Sequence, residues 1–298
     1  MSTSTSAPAV RSTADAGSPR SRSSRTTAAR RRPPWRTWLL AVPVPLLLLL
    51  LWDRGVAGAW TLPLGVQMGF LPEPLDVARR LADLAFGGLV EDSYSRTLWI
   101  HLYASTLRVV QGFLLAAVLA VPLGVVMGRS SVLFRMLEPT VNLVRPIPVT
   151  AWAPLSLLII GFGDRSTIFL VFLAAFFPIL LNTITGVRQV PARLLEAAAM
   201  LGTPAVQALY KVVLPAAVPS IVGGLRIALG LAWVILVVGE TVGISVGLGA
   251  MITQARDQSR TDLIICGMVV IGLAGFLADR LLVLLVRVLA GRRPLVNP

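Results

Sequence analysis

The chain has 298 residues, of which 55% are hydrophobic and only 14% charged, which is too apolar for a soluble domain. Its 27 basic against 14 acidic side chains leave a net charge of +13, and eight arginines against Asp15 put +7 of that into the first 38 residues. Elsewhere the arginines stand singly or in pairs between apolar runs, which excludes a basic, aromatic-studded nucleic-acid surface.

One cysteine, Cys266, excludes an internal disulfide or a Cys-cluster metal site, and one histidine, His101, excludes a paired-histidine zinc site. The two fall in different segments, against a thiol–imidazole dyad. A phosphate-cradling Gly-x4-Gly-Lys-Ser/Thr loop needs a lysine to reach the β and γ phosphates. The only lysine is Lys211, in Leu-Tyr-Lys-Val-Val, so the chain has no such loop of its own.

Residues 1–34 are rich in Ser, Thr, Ala, Pro and Arg and have almost no large apolar side chains, so they read as a disordered cytoplasmic tail. Residues 35–53 run through an unbroken leucine stretch, 46–51, between Trp35 and Trp52 and read as a first span. A cleaved signal peptide competes with that reading, because Ala57-Gly58-Ala59 resembles a cleavage site. The length of the tail and the spans that follow favour a retained helix. Residues 54–101 form an outer loop. Within it Leu75, Ala78, Leu81, Ala82, Ala85 and Phe86 share one side of a helical wheel, opposite Asp76, Arg79, Arg80 and Asp83, which predicts a short interfacial helix.

A five-helix core follows over 102–290, with apolar runs at 105–127, 143–162, 168–185 and 221–242 and from 263 to about 289. Each is near the ~20 residues that cross ~30 Å of hydrocarbon. The expected fold is an all-α membrane protein with six transmembrane helices. With the tail inside, 15 basic residues fall in inner segments and 7 in outer ones, which puts both the N- and C-termini, including 291–298, in the cytoplasm. Prolines such as Pro122, Pro146, Pro148, Pro178 and Pro219 predict a broken, packed bundle, and Gly223, Gly224 and Gly230 would let helices approach closely.

The inner loop at 187–218 reads as two short helices. Pro191 opens the first, whose apolar face is Leu194, Leu195, Ala198 and Leu201. Gly202 suits the left-handed residue that ends it, and Thr203 with Pro204 starts a second that runs to about Val212 before Leu214-Pro215.

This loop resembles the signature of ATP-binding-cassette importer permeases, Glu-Ala-Ala-x3-Gly-x9-Ile-x-Leu-Pro. It has Glu196-Ala197-Ala198, Gly202 and Leu214-Pro215 at the same spacing, and departs only in Val212 for isoleucine. Thr106-Leu107-Arg108, Arg145-Pro146-Ile147-Pro148, Gly161-Phe162-Gly163, Gly224-Leu225-Arg226, Glu240 and Gly247-Leu248-Gly249 are similar to the nitrate, sulfonate and taurine branch. The resemblance spans about 71–287.

It implies a type I importer permease bundle in a bacterial inner membrane, with a second permease copy in a homodimer forming a pathway between a solute-binding protein and two ATPase subunits. The chain would hold no cofactor, ATP and Mg being bound by the partner ATPase. Glu196, Ala197, Ala198, Gly202, Leu214 and Pro215 would couple to that ATPase. The cargo it implies is a small anion, aliphatic sulfonate first, with taurine, nitrate, bicarbonate or a pyrimidine vitamin precursor as alternatives.

Ionisable residues inside spans default to functional candidates. Arg108, Arg145, Arg226 and Glu240 divide between structural pairing or interfacial snorkelling and a place along an anion path, while adjacent Asp279 and Arg280 suit a local ion pair or a helix extending past the bilayer. An ion-coupled secondary transporter would need a buried proton relay and an inverted repeat, and neither is evident. A membrane-embedded enzyme would need a metal cluster, an Asp pair or a nucleophile beside a base, which the sequence does not offer.

Overall fold

The computed structural model describes residues 43–90 and 92–290. The tail 1–34, the first part of the span expected at 35–53 and the C-terminal segment 291–298 lie outside the described residues. The chain divides into a unit of residues 1–48 and a unit of 49–298. Helix α1 (Pro43–Ala57) begins in the first. Its 15 described residues rise about 22 Å, less than a full crossing.

In the larger unit a two-residue antiparallel hairpin (β1 Thr61–Leu62, β2 Val66–Gln67) precedes helix α2 (Pro74–Phe86). The long helices are α3 (Leu98–Arg129), α6 (Asp164–Arg188), α9 (Leu214–Glu240) and α11 (Thr261–Ala290). Between α3 and α6 lie α4 (Ser131–Val144) and α5 (Trp152–Ile160); α7 (Ala192–Met200) and α8 (Ala205–Ala208) precede α9, and α10 (Leu248–Asp257) precedes α11. Among the described residues four helical stretches are long and apolar enough to span a bilayer, and a fifth is counted if the α4–α5 pair, bent by 72°, is taken as one broken span.

That break corrects the straight span expected at 143–162. Arg145 ends α4, Pro146 and Pro148 cannot donate to a helical ladder, and a short 3-10 turn (Val149–Ala151) restarts the chain in a new direction. Residues 131–142, which lie between the runs expected at 105–127 and 143–162, are helical together with 143–144 because Leu133, Phe134, Leu137 and Val141 recur on one face.

The core lies where α6 meets α3 on one side and α9 on the other. A side-chain carbon at Gly112 would fall 2.8 Å from the Ile168 carbonyl, and one at Gly128 2.7 Å from Val187, so α3 and α6 run parallel in near backbone contact. Gly186 meets Ser220 and Gly239 meets Thr167, so α9 runs antiparallel to α6. Such close approach replaces the missing hydrophobic drive between helices in lipid. Of the three glycines singled out on α9, only Gly224 makes such a contact, against Asn182 and Pro178; Gly223 and Gly230 face open space.

Helix α2 forms as expected, but its faces are exchanged in part. Arg80 and Asp83, expected in solvent, are buried, while Leu75 and Phe86 are exposed. The reason is a ring of charges. Arg80 pairs with Asp83 at 3.2 Å and with Asp92, and Arg260 reaches Asp92 at 3.4 Å and Asp262 at 2.8 Å. Asp83 also accepts from the Leu89 and Val90 amides at 3.0 Å and from the Ser95 hydroxyl at 2.7 Å. This ring ties α2 to the start of α11.

The Ser95 hydroxyl above all, then the Val90 amide, hold the Asp83 carboxyl below its usual range. Burial opposes ionisation of Asp92, yet the Tyr94 amide and the two arginines outweigh it and lower that carboxyl too. A group whose folded pKa is depressed stabilises the fold fully above its unfolded value, about 3.9, and loses that contribution as pH falls through the folded value. Thermal scans across pH should therefore be level above about pH 5 and decline in the acid range. Asp83→Asn should lower the melting temperature at neutral pH and shallow the acid decline. Packing gives a second expectation, read by gel filtration and thermal stability in detergent: Gly112→Val should cost about 1–3 kcal/mol by overpacking, while Gly230→Ala should be tolerated.

Candidate functional site

Two groups of sequence-predicted residues occupy opposite ends of the α3/α6/α9 bundle. The loop group comes first. Helix α7 begins after Pro191 and ends in a Schellman turn: the Gly202 amide donates to the Ala199 carbonyl at 2.9 Å and the Thr203 amide to Ala198 at 3.0 Å. Gly202 has φ +69°, where a side chain is strained. The expected N-cap at Thr203 is corrected, since Pro204 occupies the cap position without a side-chain bond. Nor does the second helix stop at Leu214-Pro215. Residues Ala205–Ala208 pass through a π-helical turn (Leu209–Val213) directly into α9, one helical stretch from Ala205 to Glu240. Pro215 fits because it directly follows the π turn, where the Leu214 amide bonds back to the Leu209 carbonyl and the α-helical ladder is locally interrupted.

The loop rests on its own small core, in which Val213 and Ala217 pack with Val125 of α3 and Val187 of α6, joined by Leu195, Leu209 and Leu214. Ala198 is buried, while Glu196 and Ala197 are exposed. The expected apolar face is narrower than four residues, because Leu194 and Leu201 point outward. A tip of Met200 (88% exposed), Leu201 (84%), Val206 and Tyr210 projects from the turn. Of this tip, the sequence reading had named only Leu201.

At the other end, Arg108 and Glu240 meet although 132 residues separate them. Glu240 is fully buried, as the wheel of a membrane helix alone would not show. It accepts from Arg108 Nη1 at 2.5 Å, from the Ser105 hydroxyl at 2.7 and 2.9 Å and from the Gly249 amide at 2.8 Å. Arg108 also reaches Asp164, the first residue of α6, at 2.8 Å. The Leu248 amide donates to Ser105, and the Gly247 amide to His101 Nδ1. Helix α10, which sequence reading missed, thus starts with its amides turned onto α3 and Glu240. Gly247 and Gly249 are needed there, since a side-chain carbon would come within 2.5 and 2.9 Å of Glu240.

The remaining charges are elsewhere. Arg226 makes a two-pronged pair with Asp279 at 2.7 and 2.9 Å, linking α9 to α11; this corrects the expected Asp279–Arg280 pair, Arg280 lying instead over the Phe276 ring. Arg226 stays 42% exposed and Asp279 27%. Arg145, at the α4–α5 break, lines a cavity of about 390 Å³ with Phe177, Pro178, Asn182, Ile227 and Leu231.

Residues 120–293 match the family described as binding-protein-dependent transport system inner membrane component. The chain belongs to this family. It is accordingly a multi-pass inner-membrane permease subunit of an ATP-binding-cassette importer. It is 37% identical over 210 residues to the taurine transport system permease protein TauC of Escherichia coli (strain K12), covering 70% of this chain and 75% of that protein. It is 36% identical over 251 residues to the Bacillus subtilis (strain 168) permease SsuC, named for aliphatic sulfonates transport, covering 84% and 86%. It is 34% identical over 216 residues to the nitrate import permease protein NrtB of Synechocystis sp. (strain ATCC 27184 / PCC 6803 / Kazusa), covering 72% and 78%.

Breaking a buried ion pair by removing one partner strands the other charge. Arg108→Leu should cost about 3–5 kcal/mol of stability. The double variant Arg108→Leu/Glu240→Leu should recover part of the loss in a thermal unfolding scan, since no charge is then left buried alone.

Proposed function

We propose that this permease subunit imports a small anion, an aliphatic sulfonate first, and that its 187–218 loop receives work from a partner ATPase. The observation that carries the coupling reading is the tip of Met200, Leu201, Val206 and Tyr210. These are large apolar groups held outward by a rigid turn and a packed base, at an end of the bundle that the charge asymmetry puts in the cytoplasm. An exposed apolar cluster of this kind fits a groove on another protein. Glu196, exposed beside it, offers a charge to a basic group in that groove, and Ala197 and Ala198 leave little bulk in the way.

Helix continuity supplies the transmission. The stretch from Ala205 to Glu240 is 36 residues, about 54 Å of helix. A displacement of its loop end therefore bears on the buried Arg108–Glu240 pair at the other. In this reading Arg108 and Glu240 are positioning residues that hold one state of the gate, whereas Arg145 faces the cargo route from the cavity at the α4–α5 break. Arg226 already has a carboxylate partner in Asp279, whereas among the described residues Arg145 has none and is left to greet an anion. Arginine's planar fork suits sulfonate or nitrate oxygens. The names of the relatives, for taurine, sulfonates and nitrate, support the same class. A solute-binding protein would deliver the cargo, and a second copy of the chain would complete the path, with ATP and Mg held by the ATPase.

Gly202→Pro forbids the left-handed turn, and Glu196→Arg reverses the exposed charge. Each should leave the protein inserted at normal levels while cutting ATP-dependent uptake in reconstituted vesicles by about tenfold or more, ATP hydrolysis continuing. Uptake unchanged at equal protein levels counts against the coupling role. For cargo, the cognate solute-binding protein should bind alkanesulfonates more tightly than taurine, nitrate or pyrimidines in a titration series; selective binding of a cation would reject the anion class.

A further inference from the structure

A second cavity, of about 310 Å³, lies between α4 and α6 at the end of the bundle that carries the loop. Its volume is at the small end of ligand sites, roughly 300–1,000 Å³. The floor is apolar, made by Met127, Phe134, Val141, Leu181 and Ile184. Glu138 of α4 and Arg188, the last residue of α6, stand on its walls with Asn142, Thr185 and Gln189.

The two opposite charges are not spent on each other. Among the described residues neither Glu138 nor Arg188 belongs to an ion pair. Arg188 is nevertheless oriented: its guanidinium carbon lies 3.6 Å from the centroid of the Phe134 ring. Stacking on a ring fixes the guanidinium plane and leaves its N–H edges for the two oxygens of an anion. Helix α4 contributes no fully buried residue, although Phe134 and Val141 touch the core, so it stands off α6 with this gap between them.

A lone anion would satisfy Arg188 and leave Glu138, on the same cavity's wall, without a partner; a lone cation would do the reverse. We propose that the cavity binds a small zwitterion, its ammonium on Glu138, its sulfonate or carboxylate on Arg188 and its short apolar spacer on the floor. Bound there, the molecule joins α4 to α6. The site is separate from the Arg145 cavity and does not depend on which cargo the importer carries.

The test is ligand affinity of the purified full-length chain in nanodiscs, with monodispersity of each variant checked by gel filtration. The probes are taurine and β-alanine as zwitterions, isethionate as the matched anion and ethylamine as the matched cation. At least one zwitterion should bind saturably, and isethionate and ethylamine should bind at least about tenfold more weakly, each lacking one charge-assisted bond. Glu138→Gln and Arg188→Gln should each weaken the zwitterion by a similar factor, while Arg280→Gln, outside both cavities, should leave it unchanged. Absence of saturable binding by both zwitterions overturns the proposal. So does isethionate displacing the zwitterion with equal affinity, or a zwitterion affinity that Glu138→Gln and Arg188→Gln both leave unchanged. Failure of the uptake or solute-binding-protein experiments, by contrast, bears only on the importer's coupling and cargo.

Discussion

Hydrocarbon offers a carboxylate no water, and Glu240 is fully buried at the end of α9. The arrangement around it follows from that constraint. Arg108 must come from α3, Ser105 must turn its hydroxyl inward, and the first amides of α10 must point at the same place, so three helices are brought together by one charge. Asp164 on Arg108 adds the start of α6. The near backbone contact of α6 with α3 and α9, through Gly112, Gly128, Gly186 and Gly239, then carries this registration along the bundle. The loop end inherits a fixed geometry from the buried end.

The loop is rigid for reasons of its own. Its turn closes with two backbone bonds at Gly202, and its base packs on the ends of α3 and α6 through Val125, Val187 and Val213. Because Ala205 and Glu240 belong to one helical stretch, loop and buried charge are two ends of the same rod. In the proposed coupling, a partner gripping the Met200–Leu201 tip works directly against the packing that holds Arg108 on Glu240. The α4–α5 break contrasts with this rod: it is bent by 72°, bordered by Arg145, and adjoins the cavity proposed for the cargo route.

The legible features were local. The spacing from Glu196 through Gly202 to Pro215 predicts the turn because a left-handed residue and a helix start leave marks in consecutive positions. Long apolar runs predict the spans for the same reason. Pairings across the fold leave no such mark: nothing in the neighbourhood of Arg108 names Glu240, and Asp279 beside Arg280 suggests a neighbour when its partner is Arg226, on another helix. Helix α10 escaped because it is short and mixed in polarity, although Leu248, Met251 and Ala255 recur at helical spacing and are buried. The faces of α2 were misassigned because Arg80 and Asp83 are buried as a mutually satisfied set, and a helical wheel counts each as a lone charge.

The most direct test uses Met200→Cys in membrane vesicles that contain the whole transporter, with native Cys266 buried and so a poor competitor. The account predicts that a short cross-linker at this position joins the chain to the ATPase subunit, and that an impermeant thiol reagent labels it only from the cytoplasmic side. Labelling from the opposite side, or a tip that never links to the ATPase while the transporter hydrolyses ATP, would contradict it.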